Sequence, residues 1–175
     1  MDEKQLWEKC GEFHGHHCGG LAIGLKAAIY AMELLDLSFS EDEDVVCITE
    51  NDAYCVDAIQ VILGCSVGKG NLLFKMRGKE AFSFFNRKTG RSVRLVLRNV
   101  PGLTRAQSME YFLSHEPAEL FDVKDTVDEL PIKARLFKSI PCDCCGEMTM
   151  DTMMHMEGDK KLCKDCFVPY SRFLD

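Results

Sequence analysis

Two Cys-x-x-Cys knuckles near the C-terminus, Cys142-Asp143-Cys144-Cys145 and Cys163-Lys164-Asp165-Cys166, place four thiolates at a spacing that can close a tetrahedral metal shell. The segment between them, Gly146 through Leu162, is 17 residues long, within the range of a four-cysteine zinc module, and Gly146 follows Cys145 where a tight knuckle needs a small residue. Cys142, Cys145, Cys163 and Cys166 are therefore read as structural zinc ligands and Cys144 as a spare thiol. The competing readings are two disulfides, which need an oxidising compartment that nothing in the sequence suggests, and four unrelated buried thiols.

A second chemical cluster is Phe13-His14-Gly15-His16-His17-Cys18-Gly19-Gly20. If it is extended, a period of two puts His14, His16 and Cys18 on one side and His17 on the other, so two imidazoles and a thiolate could bind one metal facially and leave it open positions. Cys18 falls about where a helix begins, and free amides and the helix dipole there favour a thiolate. An ordinary solvated loop is the alternative. Cys55 follows Glu50-Asn51-Asp52-Ala53-Tyr54 at the start of a second helix, and Cys65 follows its end. A helix over 55 to 63 spans about 13 Å, so the two need not meet, and Cys55 is preferred as a fourth donor. Cys18 and Cys55 are the candidate reactive residues; His14, His16, Cys65 and Lys69 are candidate ligand contacts; Glu50 or Asp57 could carry a proton. Cys47, inside a strand pattern, reads as a small buried hydrophobe.

Gly64-Cys65-Ser66-Val67-Gly68-Lys69-Gly70-Asn71 fails as a phosphate loop: three residues rather than four precede Gly68-Lys69, Gly70 replaces the hydroxyl donor, and a helix rather than a strand leads in. A backbone anion nest beside Lys69 remains open. Met148, Met150, Met153, Met154 and Met156 crowd beside His155, where soft sulfur could hold Cu(I), but packing or partner contact is the preferred reading. Met148-x-Met150 fits one face of a hairpin turning at Glu157-Gly158-Asp159.

The elements that must position these groups follow from pattern. Leu21, Leu25, Ala28, Met32 and Leu35 recur at helical spacing, and Gly24, Ala27, Ala28 and Ala31 form a smooth face that admits another element closely. Val45 to Thr49 reads as a strand, Asp57 to Leu63 as a helix stopped by Gly64, and Leu72–Lys75, Ala81–Phe85 and Ser92–Arg98 as three strands whose short connections suggest an antiparallel meander. Thr104 caps a helix to about His115, with Met109, Phe112 and Leu113 inward. Strands in a block with helices at both ends predict α+β, an antiparallel or mixed sheet core with flanking helices plus a small zinc-ribbon-like domain. The boundary falls near Lys138, giving 1–137 and 138–175.

At 175 residues and 46% apolar composition the chain can build a real core. The formal charge of −7 carries no basic excess in either part, which argues against direct nucleic-acid binding. Leu21 to Leu35 is interrupted by Lys26 and Glu33 and is too short to cross a bilayer, and Met1-Asp2-Glu3-Lys4 begins no secretory signal, so the expected location is cytoplasmic, without a membrane partner.

Phe13-His14-Gly15-His16-x-Cys18, Glu50 through Gln60, Gly64-Cys65-Ser66-x-Gly68-Lys69-Gly70-Asn71-Leu72 and Gly78-Lys79-x-Ala81-Phe82, in that order, resemble the formylmethanofuran dehydrogenase FmdE family, and the terminal knuckles match members that add a zinc module. The resemblance implies an α+β core with a zinc-binding tail, an intertwined homodimer, and a cysteine- and histidine-rich metal site in the core. Two positions depart from the family pattern: Gly19 where proline is common after the motif cysteine, and Met76-Arg77 where an acidic residue often precedes the Gly-Lys turn. Three functions are compatible. The preferred one is a metal-dependent thiol protein, redox or accessory, around a molybdenum or tungsten formate-level oxidoreductase, with zinc in the tail, a second transition metal in the core, and a protein partner docked by the tail. The others are a free-standing metalloenzyme using the His/Cys site, and a metal-sensing transcription regulator whose zinc module makes partner contacts.

Overall fold

The computed structural model describes residues 2–100 and 102–173. The chain divides into two compact units, Met1–Ala134 and Arg135–Asp175.

The first unit opens with a helix that the sequence pattern did not announce, α1 (Glu3–His14). It starts in a capping box, Asp2 accepting from the Gln5 amide while the Gln5 side chain accepts from the Asp2 amide, and ends at Gly15 with φ 89°. That left-handed conformation suits glycine, and it lets the chain turn within four residues into α2 (Gly19–Leu35). Lys26 of α2, nearly buried, reaches Glu3 of α1 at 2.7 Å and ties the two helices at the end away from the turn.

β1 (Val45–Thr49) leads into α3 (Cys55–Leu63), which ends at Gly64 (φ 69°) and returns to β2 (Leu72–Phe74). β3 (Ala81–Asn86) and β4 (Ser92–Leu97) form a hairpin, followed by α4 (Arg105–Ser114), α5 (Pro117–Leu120) and an edge strand β5 (Phe121–Lys124). Thr104 caps α4 as the sequence predicts, and Phe112 is its buried residue. The sheet order is β2-β1-β3-β4-β5. The α+β expectation with a mixed sheet holds, but the three-strand meander does not: β2 pairs in parallel with β1, and β1 lies between β2 and β3. The reason is visible in β1 itself. Val45 and Cys47 join the main core while Val46 and Ile48 join the core on the other face. A strand apolar on both faces belongs in a sheet interior, and a helical crossover delivers its next neighbour parallel.

The main core packs α2 and α3 on Phe82, Phe84, Val93 and Leu95 of the sheet. The smooth face of α2 is used here, inside the chain. A Cβ at Gly24 would come within 1.9 Å of the Cys55 carbonyl oxygen, and Ala28 and Ala31 are fully buried, so α3 rather than a second copy occupies this face. On the opposite sheet face the segment from Val127 to Ala134 runs over Ile48 and Leu73, held by Asp128 with Lys75 and Arg77, and by Arg87 donating to the Pro131 carbonyl at 2.6 Å.

In the second unit two hairpins each deliver one knuckle. β6 (Ser139–Pro141) and β7 (Met148–Met150) pair across Cys142–Cys145, and β8 (His155–Glu157) and β9 (Lys160–Leu162) pair just before Cys163–Cys166. The turn at Gly158 (φ 61°) is as expected, but Met148 and Met150 belong to the other hairpin, because the knuckle itself serves as that hairpin's loop.

Candidate functional site

The two donor sets of the sequence, Cys142, Cys145, Cys163, Cys166 and His14, His16, Cys18, are both assembled: within each, one ligand atom per residue lies within 4.8 Å of every other.

In the tail, Cys145 Sγ stands 3.8 Å from Cys163 Sγ, against about 3.8 Å for the edge of a tetrahedron with metal–sulfur bonds of about 2.3 Å. Gly146 (φ 75°) turns the first knuckle so that its N–H meets the Cys142 carbonyl at 2.9 Å. The Cys163 amide donates to Cys142 Sγ at 3.3 Å. Backbone donors from Cys145 and Cys163 lower the Cys142 thiol to about 6, whereas the neighbouring sulfurs raise Cys166. Thiolates this close repel one another, and a divalent cation at their centre removes that penalty. The residues fit such a metal. Around them, among the described residues, only Leu162, Met154 and Phe167 pack with the cysteines. Met148, Met150, Met153 and Met156 are exposed, and His155 stacks on Phe167 at 4.5 Å rather than facing them. Cys144 is exposed, outside the four-sulfur set.

In the core unit the donors converge by a different route from the extended segment expected. His14 is the last residue of α1 and Cys18 the N-cap of α2, so a helix–turn–helix junction brings them together. His14 Nε2 lies 3.8 Å from Cys18 Sγ, near the roughly 3.6 Å separation of nitrogen and sulfur on one tetrahedral metal. The Leu21 amide donates to Cys18 Sγ at 3.4 Å. The His14 side chain is nearly buried and its Nδ1 is 2.7 Å from Asp57 Oδ2, on the first turn of α3. With Asp57 accepting, the proton sits on Nδ1 and Nε2 keeps its lone pair toward the sulfur. Gln60 Nε2 donates to the other Asp57 oxygen at 3.1 Å and holds the carboxylate in place. The His16 ring is tilted against that of His14 at 4.5 Å. His17 turns away as expected, but by packing on Trp7 at 4.6 Å over the notch left by Gly11. The residues fit a metal, and His16, Cys18, Gly19, Gly20 and Tyr54 line a cleft of about 210 Å³ beside it.

The remaining sequence candidates stand elsewhere. Cys55, the preferred fourth donor, is not in the compact group: it is buried, its Sγ is 3.3 Å from Asn51 Oδ1 and 3.4 Å from Glu80 Oε2, and burial beside that carboxylate drives its thiol strongly upward. Opening a helix was not sufficient, because the first turn of α3 directs this side chain toward Asn51 and Glu80 in the interior rather than toward His14 and Cys18. Cys65 is also buried, pushed up to about 12 by burial, with Sγ 3.7 Å from the Val45 carbonyl. Lys69 donates to the Ser40 carbonyl at 2.7 Å, so one of its three N–H donors is used inside the fold, away from the His14, His16 and Cys18 group. Cys47 is wholly buried and its thiol raised by desolvation, as its strand position predicts. Glu50 is no proton carrier: it is buried in a two-point pair with Arg94, at 2.6 and 3.0 Å, which holds its carboxyl below the usual range. Asp57, by contrast, belongs to the site through His14. Sequence reasoning named Asp57 only as an alternative and missed Tyr54 and Gln60; the i, i+3 spacing of Asp57 and Gln60 was the one local signal available.

Comparison with known proteins agrees with this architecture. The family model described as "FmdE, Molybdenum formylmethanofuran dehydrogenase operon" matches residues 13–129. The chain belongs to the FmdE family. A tungsten formylmethanofuran dehydrogenase FmdE-like protein from Syntrophus aciditrophicus shares the fold, with TM-score 0.68 at 21% identity over 94% of this chain and 91% of that one. A probable S-adenosyl-L-methionine-binding protein from Archaeoglobus fulgidus is 29% identical over 85% of this chain and 50% of its own length. The chain thus spans about half of that curated relative. Among the described residues no helix is long and apolar enough to cross a membrane.

Proposed function

We propose that the protein is a metal-dependent accessory or redox component around a molybdenum or tungsten formate-level oxidoreductase, with His14, His16 and Cys18 holding a transition metal in the core and the four tail cysteines holding zinc. The observation that carries the reading is the convergence of two imidazoles and a thiol, one imidazole fixed in tautomer by Asp57, on the edge of an open cleft. Such a metal would supply a Lewis acid with positions left for a small ligand, whereas four sulfurs leave zinc none. The family's operon association supports the accessory role, and the exposed methionines spread over both tail hairpins support partner contact by the tail. The S-adenosylmethionine reading of the Archaeoglobus relative describes a protein twice as long and has no counterpart among these donors.

Elemental analysis of anaerobically purified protein tests the reading. Cys142→Ser should lose the zinc, while His16→Ala combined with Cys18→Ser should lose a different metal equivalent and retain the zinc. Unchanged metal content in the double variant sinks the core assignment. The free-standing metalloenzyme is the second reading, favoured by the cleft; it requires turnover by the isolated protein. The homodimer would need a surface other than the α2 face already covered by α3, and sedimentation equilibrium at micromolar concentration decides it.

A further inference from the structure

We infer that the cleft beside the core donors is an anion-selective subsite in which Arg105 recognises the carboxylate of a small ligand whose other end reaches the metal position. This rests on the reading of His14, His16 and Cys18 as a metal set. Arg105 and Ser108, from the first turns of α4, line the same cleft as His16, Cys18 and Tyr54. Arg105 is the one charged side chain on a lining that includes no carboxylate, in a chain of net charge −7. Its guanidinium has no hydrogen-bond or ion-pair partner among the described residues, unlike Arg77, Arg87, Arg94 and Arg98, each of which is paired with a carboxylate. A free planar fork beside a neutral, partly apolar wall is the group that binds carboxylates at two points.

The placement of Arg105 is built into the packing. A Cβ at Gly19 would lie 2.3 Å from Ser108 Oγ, so the absence of a side chain there lets the first turns of α4 come against the start of α2. Gly19 is helical and a proline would suit its backbone as first helical residue; the cost of one would be the clash with Ser108. Gly19 therefore lets α4 bring Arg105 to the cleft. A cleft of about 210 Å³ has room for a small ligand with its carboxylate.

Two probes separate the parts of this proposal: mercaptoacetate, which offers a thiolate to a metal and a carboxylate to Arg105, and 2-mercaptoethanol, which offers the thiolate alone. Full-length protein with zinc in the tail and cobalt(II) in the core is titrated with each at low ionic strength, where exposed charge is least screened, and the cobalt visible bands report occupancy. Wild type should prefer mercaptoacetate about tenfold or more, as expected of a charge-assisted hydrogen bond. Arg105→Gln should bind both about equally, with mercaptoethanol unchanged, and Arg105→Lys should keep part of the preference. An undiminished preference in Arg105→Gln overturns the anion subsite while leaving the metal reading intact. Cobalt bands identical in wild type and Cys18→Ser would overturn the metal reading and this inference together.

Discussion

The two donor sets solve the problem of bringing ligands together in opposite ways. In the core unit, His14 and Cys18 stand at helix ends held by a large apolar interior and His16 in the short turn between them, so the site is a by-product of a fold that stands without it. In the tail, the cysteines are a main part of the interior: besides Cys142, Cys163 and Cys166 its packed cluster holds only Leu162, Met154 and Phe167. The core group should therefore keep its shape without a metal, while the tail group should not.

Chelation should give the largest effect. Structural zinc in small modules contributes about 10–16 kcal/mol of apparent binding free energy, which is folding free energy where no other core exists. A strong chelator should therefore collapse hydrogen-exchange protection in residues 138–173 and leave that of α2, α3 and the sheet unchanged. Tail amides still protected after complete metal removal would abolish the contrast.

The reverse selectivity is expected from Glu50→Gln, which leaves Arg94 buried without its counter-charge and should cost about 3–5 kcal/mol, confined to the core unit. Arg94 lowers the folded pKa of Glu50. Its contribution is thus fully present above the unfolded value, about pH 4.3, and is lost as pH falls through the depressed folded value. Urea midpoints measured from pH 6 downward should decline less steeply in Glu50→Gln than in wild type below about pH 4. Parallel declines would mean that other carboxylates set the acid limb.

A smaller and more local effect should follow Asp57→Asn. It keeps the shape but weakens the hold on His14 Nδ1, and loss of such an outer partner typically costs about 10–100-fold in metal affinity. Competition with a chromophoric chelator should register that drop in the core while the tail zinc is retained. Equal affinity would remove Asp57 from the site.

The finest test is thiol accessibility. In native metal-free protein Cys18, half-exposed at its helix start, should alkylate well before Cys10, Cys47, Cys55 and Cys65, all of them buried with thiols raised by desolvation. Peptide mass spectrometry after brief iodoacetamide treatment gives the order, and adding metal back should protect Cys18. Labelling of Cys47 at the rate of Cys18 would contradict the burial on which the comparison depends.

Much of what depends on local chemistry was legible in the sequence, although α1, with its Asp2–Gln5 capping box and its stop at Gly15, was not read from it. Val45–Thr49 as a strand, the stop at Gly64, the Thr104 cap, the four tail ligands and the grouping of His14, His16 and Cys18 all follow from residue type and short spacing, because caps, turns and knuckles are local interactions. Which far-off groups meet them is set by packing. Cys55 looked like a ligand because it opens a helix, but its thiol is buried against Asn51 and Glu80; Asp57 and Arg105 line up with the donors because α3 and α4 both pack at the α2 start. The pairing of β2 with β1 was hidden for the same reason. Register and partner choice in a sheet depend on which faces the rest of the chain covers, and that is a property of the whole core rather than of any window along it.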